Sequence, residues 1–156
     1  MPEQDPQRPG RQQRPDSRLT AGVPPASSVL EEPVAYRTWI LTLPAGMELL
    51  NSNDRDGHWA RRKRVTKALR EAAGWLARDR QIPPLQRAHI LAVYEPPDRR
   101  RRDPGNLYPS FKACIDGIVD AGILPNDDAK HLDGPDPRLG GIHPRGRLVL
   151  HITELP

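Results

Sequence analysis

The sequence predicts an α+β domain, a mixed β-sheet packed with two main helices, preceded by a disordered N-terminal tail. Two runs near the ends of the folded region alternate with period two, as half-buried strands do. Two internal stretches repeat apolar residues with period 3.6, and a nearly all-apolar run stands between them. The chain of 156 residues has room for one ordinary domain, which can hold a core without disulfides or a structural metal.

The tail is the segment 1–33. It contains seven of the nineteen prolines, together with Gln, Arg, Ser and Asp, and almost no large apolar residue. Burial there cannot offset the entropy of ordering, so the folded domain is expected over 34–156. Order starts at "YRTWILTLP", where Trp39, Leu41 and Leu43 alternate with Thr38, Ile40 and Thr42, and Pro44 closes the strand. "AGMELLNSNDRDG" follows as a long polar loop. From about Trp59 a helix is expected, with Val65, Leu69, Ala72 and Leu76 in one stripe, Arg61, Arg62, Arg64 and Arg70 mostly elsewhere, and Pro83 and Pro84 ending it.

"RAHILAVYE" is apolar enough to be a central strand. The second helix is expected to take Asn106 as its N-cap, to place Leu107, Phe111, Cys114, Ile115, Ile118 and Val119 on one face, and to stop at Gly122. On its other face Lys112, Asp116 and Asp120 stand at i, i+4 spacing, suited to surface pairs. "LPNDDAKHLDGPDP" reads as a polar loop with a short strand near Lys130. "GRLVLHITEL" closes the chain as a strand in which Leu148, Leu150 and Ile152 alternate with Val149, His151 and Thr153.

The single cysteine, Cys114, cannot pair within the chain and fits a small core residue in a reducing compartment. The first twenty residues contain no apolar signal core, and no apolar run reaches membrane-spanning length, so a cytoplasmic protein with no membrane partner is expected. Net charge is only +4, but Arg outnumbers Lys by 20 to 4 and gathers in "RRKR" at 61–64 and "RRRR" at 99–102. The flat guanidinium fork suits phosphate oxygens, which points to Arg61, Arg62, Lys63, Arg64, Arg99, Arg100, Arg101 and Arg102 as nucleic-acid contacts, with the nearby Asn106 as a further one; taken alone, either run is more often a solvated face.

Asp103 sits where the second strand gives way to the second helix, and Asp127 and Asp128 lie just past that helix. A helix of roughly sixteen residues spans about 24 Å, so these carboxylates meet only if the loop after Gly122 folds back toward the helix start. If they meet, two carboxylates with other oxygen ligands suit Mg²⁺, with Mn²⁺ as the alternative ion. "DPGN" and "NDD" are also ordinary turn sequences. His58, His89, His131, His143 and His151 show no ligand spacing. The chain has no glycine-rich phosphate loop and no nucleophile elbow, so no nucleotide cofactor and no serine-type hydrolysis is expected.

"PDRRRRD" ending at Asp103, "NL" at 106–107, "FKACIDGIVDAGIL" leading to "NDD", and the closing "GRLVLHITEL" together resemble the RusA-type Holliday-junction resolvases. Those are small homodimeric Mg²⁺-dependent endonucleases. The resemblance covers most of residues 37–155 and is most specific from Arg99 to Asp128. It implies a RusA-like fold, a homodimer, and hydrolysis of four-way DNA junctions in recombination and repair. Asp103 and Asp128 match catalytic metal-binding aspartates, and Lys112 matches an essential lysine when "YPS" at 108–110 is read as a short insertion; an ungapped alignment puts Pro109 there instead. One position departs from the family: Gly105 stands where a second aspartate is usual, and Asp127 is the nearest substitute ligand. A branched-DNA-binding protein with weakened or lost catalysis is therefore the alternative expectation.

Overall fold

The computed structural model describes residues 35–54 and 58–156, so the tail predicted over 1–33 lies outside the described residues. In chain order the elements are β1 (Thr38–Thr42), α1 (Trp59–Asp79), β2 (Ala88–Glu95), a 3₁₀ turn (Pro104–Leu107) running into α2 (Tyr108–Asp120), β3 (Leu132–Leu139) and β4 (Arg147–Glu154). The strands form one sheet in the order β1-β4-β2-β3. β4 is antiparallel to both of its neighbours and β2 is parallel to β3, so the sheet is mixed, as the sequence predicts.

Cross-strand rows define the core. Leu41, Leu150 and Ala92 lie opposite one another, as do Trp39, Ile152 and Ile90. Against these rows pack Val65, Leu69, Ala73 and Ala77 of α1, and Phe111, Cys114, Ile115 and Ile118 of α2. Cys114 is fully buried, and burial pushes its thiol pKa up to about 12, which leaves it inert. The α1 stripe differs in phase from expectation: Ala73 and Ala77 are buried, whereas Ala72 and Leu76 are only partly so. The shift follows from the close approach of α2, which favours the smallest side chains at the crossing.

That crossing is made of glycine. A β-carbon on Gly74 would stand 2.9 Å from the Gly117 carbonyl oxygen, and one on Gly117 would stand 2.9 Å from the Arg70 carbonyl carbon. Beside it the Arg70 guanidinium grips Asp120 with two hydrogen bonds, the longer at 2.7 Å. Asp120 is thus an interhelical partner, while Lys112 and Asp116 do form the predicted i, i+4 pair.

Both helices end in a Schellman motif. Gln81, at positive φ, donates to Arg78 while Ile82 donates back to Ala77; Gly122 donates to Val119 while Ile123 donates to Ile118. α1 therefore stops before Pro83, and Gly122 is the stop that the sequence predicts. The start of α2 differs from expectation. Asp103, not Asn106, is the cap: its side chain accepts from the Gly105 N–H at 2.9 Å and Pro104 occupies the first position of the 3₁₀ turn. The region 132–139, expected as mostly loop, is the eight-residue edge strand β3. Its Gly, Pro and Asp hide it from a propensity reading, yet an edge strand tolerates Pro because one side of it makes no ladder bonds. One extra residue bulges from β3 between the pairs His89–Asp133 and Leu91–Asp136. No helix among the described residues is long and apolar enough to cross a membrane.

Candidate functional site

After β2 the chain makes a turn organised by Asp98. Arg102 reaches back to its carboxylate at 2.6 Å and also donates to the carbonyls of Asp98 and Arg100, at 3.1 and 3.2 Å. The Arg100 N–H donates to the same carboxylate at 3.0 Å. The Arg102 hydrogen bond, helped by the Arg100 N–H, pulls the Asp98 pKa down to about 2. Half of the arginine run thus shapes its own turn, and Arg99 and Arg101 have no acidic partner among the described residues. Because the folded pKa lies below the ordinary 3.8, this contact is at full strength above about pH 4 and is lost only as pH falls toward 2. A carboxyl-detected NMR titration should find the Asp98 midpoint near 2 in the wild type. In Arg102→Gln that midpoint should move back toward 3.8.

Beyond the turn lies a cleft of about 400 Å³, lined by Asp103, Asn106, Arg101 and Arg102 on one side and by Asn51, Asp54 and Arg61 on the other. Asp103 spends one carboxylate oxygen on the Gly105 N–H; its second oxygen has no hydrogen-bond partner among the described residues. Asp54 accepts from the Asn51 N–H at 3.2 Å and lies 3.4 Å from the Arg61 guanidinium. Arg61 also pairs with Glu48 and, together with Arg64, lowers the Glu48 pKa.

The far wall is the loop after β1, and α2 holds it in place. Ser110, the one fully buried polar residue among those described, accepts from the Leu50 N–H at 2.7 Å and donates to the Leu50 carbonyl at 2.9 Å. The Ser52 N–H donates to the Asn106 carbonyl at 2.8 Å. The triplet 108–110 thus supplies the residue that fixes this wall. Ser110→Ala leaves two buried backbone groups of Leu50 unsatisfied, and unfolding in urea should show a loss of about 2 kcal/mol.

The second acidic turn lies elsewhere. The loop after Gly122 does fold back along α2, but only as far as Lys112, whose ammonium pairs with Asp127 at 2.7 Å and with Asp116. Burial works to lower the Lys112 pKa, but the hydrogen bonds it donates to Asp116 and Asp127 raise it above its ordinary value; Asp127 is lowered in return. Asp128 points away from Asp127. Its carboxylate accepts from the Lys130 N–H at 3.0 Å and from the Asn126 amide at 3.2 Å, capping its own turn.

His131 ties that turn to the beginning of β2 through Gln86 and Ala88, whereas Asp103 shares its cleft with Tyr94 near the end of β2. Among the described residues no three acidic, His or Cys side chains converge on one ion. The cleft instead draws in Asn51 and Asp54, which the sequence signals only as members of a polar loop. Of the first basic cluster, Arg61 and Arg64 are held by Glu48, while Arg62 and Lys63 lie beside Trp59 on the outer face of α1.

No family model matches the chain, and no curated protein matches it.

Proposed function

We propose that the protein is a cytoplasmic Mg²⁺-dependent endonuclease of the RusA type that cuts branched DNA, the four-way junction being its substrate. The observation that carries this is the cleft, where the open carboxylate oxygen of Asp103 sits among Arg61, Arg101 and Arg102. A phosphodiester bound there would meet guanidinium forks on its anionic oxygens, with Asp103 within the same hollow. The specific run from Arg99 to Asp128 adds the junction as substrate and a homodimer as the working form. A two-fold dimer presents two equivalent clefts, the symmetry that paired cuts across a junction require.

The cleft's donors fit a hard cation. Mg²⁺ takes one or two carboxylates and keeps several waters, and Asp103, with Asp54 and the amide oxygens of Asn51 and Asn106, offers such a set. When bound, the ion supplies Lewis-acid polarisation of a phosphoryl oxygen and lowers the pKa of a coordinated water. Arg101 and Arg99, free of acidic partners among the described residues, hold backbone phosphates, while Arg102 fixes the turn that aims them. Lys112, engaged by two carboxylates, positions the loop that carries Asp127 and Asp128.

Two observations favour a second reading, a branched-DNA-binding protein without cleavage. Gly105 offers no carboxylate, and Asp128 spends both oxygens on its own turn. A labelled four-way junction incubated with protein separates the two. Paired, symmetric nicks in Mg²⁺ support the endonuclease. Salt-sensitive binding with no product in Mg²⁺ or Mn²⁺ supports the binder. Absence of any mobility shift defeats both.

A further inference from the structure

We infer that the surface winding along α1 from Trp59 to Trp75 binds single-stranded nucleic acid, whose bases stack against the two indoles. The two tryptophans are 75% and 61% exposed, the largest exposures among the described large apolar residues. An indole left in water forgoes a large burial gain, so two on one helix call for a ligand.

The ridge that joins them winds round the helix, since sixteen residues at roughly 100° each make four turns and about 160° more. Trp59, Lys63, Lys67, Glu71 and Trp75 follow one another at i, i+4 along a single ridge of the helix surface. The neighbouring ridge carries Arg62, Thr66, Arg70, Gly74 and Arg78. Along these ridges lie two hollows of about 540 and 510 Å³, one holding Trp59 and the other Trp75. Lys67 and Arg70 line both, so the two hollows adjoin at these residues and each holds one indole. The sixteen residues between the tryptophans span about 24 Å. That length suits the short end of single-strand binding sites, about four nucleotides.

Charge selects the occupant. Lys67 pairs with Glu71 at 3.7 Å and Arg70 with Asp120, leaving Arg62, Lys63 and Arg78 without acidic partners among the described residues. An anionic backbone with accessible base faces satisfies both the cations and the indoles. A duplex keeps its base faces stacked inside. A second copy of the chain, meeting this face about a two-fold axis, would set the same three cations against themselves. The inference rests on α1 alone and stands whether or not the cleft cuts DNA.

The test is titration of the full-length protein with an oligothymidylate of about twelve nucleotides, followed by tryptophan fluorescence, with sedimentation velocity in parallel. The expected result is quenching, weaker binding at higher salt, and about a tenfold loss of affinity in Trp59→Ala and in Trp75→Ala, each partly restored by phenylalanine. Both side chains are exposed, so far-UV circular dichroism and melting temperature should be unchanged. Asp103→Asn should bind the oligonucleotide like the wild type, so a failure of the cleft proposal leaves this one readable. Wild-type affinity in the doubly substituted protein overturns the inference. So does equal affinity for a blunt duplex of the same length, or a dimer that the tryptophan substitutions dissociate.

Discussion

Gly117→Ala is expected to lower the melting temperature by roughly 8 °C or more, although alanine is the better helix former. The propensity gain in an exposed helix interior is about 1 kcal/mol. At position 117 the new methyl group would fall within van der Waals contact of the Arg70 carbonyl oxygen, and would lie 2.9 Å from its carbon and 3.1 Å from the Gly74 nitrogen. These are backbone atoms, which cannot swing aside as a flexible side chain can. Relief requires that α1 and α2 part, opening the core around Leu69, Ala73 and Ile118 and loosening the Arg70–Asp120 grip. Overpacking of this kind costs about 3 kcal/mol, so the net loss is about 2 kcal/mol. Thermal melting checks it, with Gly122→Ala as the comparison. Gly122 has nothing within 4 Å, so that substitution carries only the left-handed backbone penalty of about 1 kcal/mol.

Asp103→Asn should abolish junction cutting and leave junction binding intact or slightly tighter. Asparagine is as good a cap as aspartate, so the hydrogen bond from the Gly105 N–H and the 3₁₀ turn survive. What is removed is the anionic oxygen that faces the cleft. Loss of a carboxylate ligand weakens metal-assisted stabilisation by several kcal/mol, and about 3 kcal/mol corresponds to roughly a hundredfold in rate. Binding rests on Arg99 and Arg101, which have no acidic partner among the described residues, and the field of Arg101 on phosphate grows once the neighbouring carboxylate is gone. Single-turnover nicking and gel mobility of the same junction measure the two effects separately. Retained cutting defeats the assignment of Asp103. Asp128→Asn should preserve its turn, since the amide oxygen still accepts from the Lys130 N–H. An equal loss of cutting there would mean that the second acidic turn reaches the cleft of the partner in the assembled dimer.

How much of this was legible in the sequence depends on the range of the interaction concerned. Alternation at 38–43 and 148–153 and the 3.6-residue period of the two helices are local and strong, because each element buries one face against a common core. Both came through, as did the mixed sheet, the central β2, the buried Cys114 and the stop at Gly122. β3 did not, since its residues are poor strand formers held by pairing with β2. The exchange of Asn106 for Asp103 as cap turned on Pro104, whose fixed φ starts the turn three residues earlier.

By itself the sequence determined the elements, the faces they bury, and the placement of four arginines beside an aspartate at the mouth of a helix. Only the tertiary structure decided which of those groups share a site. Asp103 acquired Asn51, Asp54 and Arg61 as neighbours, Lys112 took up Asp116 and Asp127, and Asp128 was engaged by Asn126 and Lys130. The reason is physical: residue type and periodicity report which surface a side chain leaves, whereas its partners depend on how far a loop returns. Here that distance was set by long-range contacts such as Ser110 with Leu50 and Gly74 with Gly117.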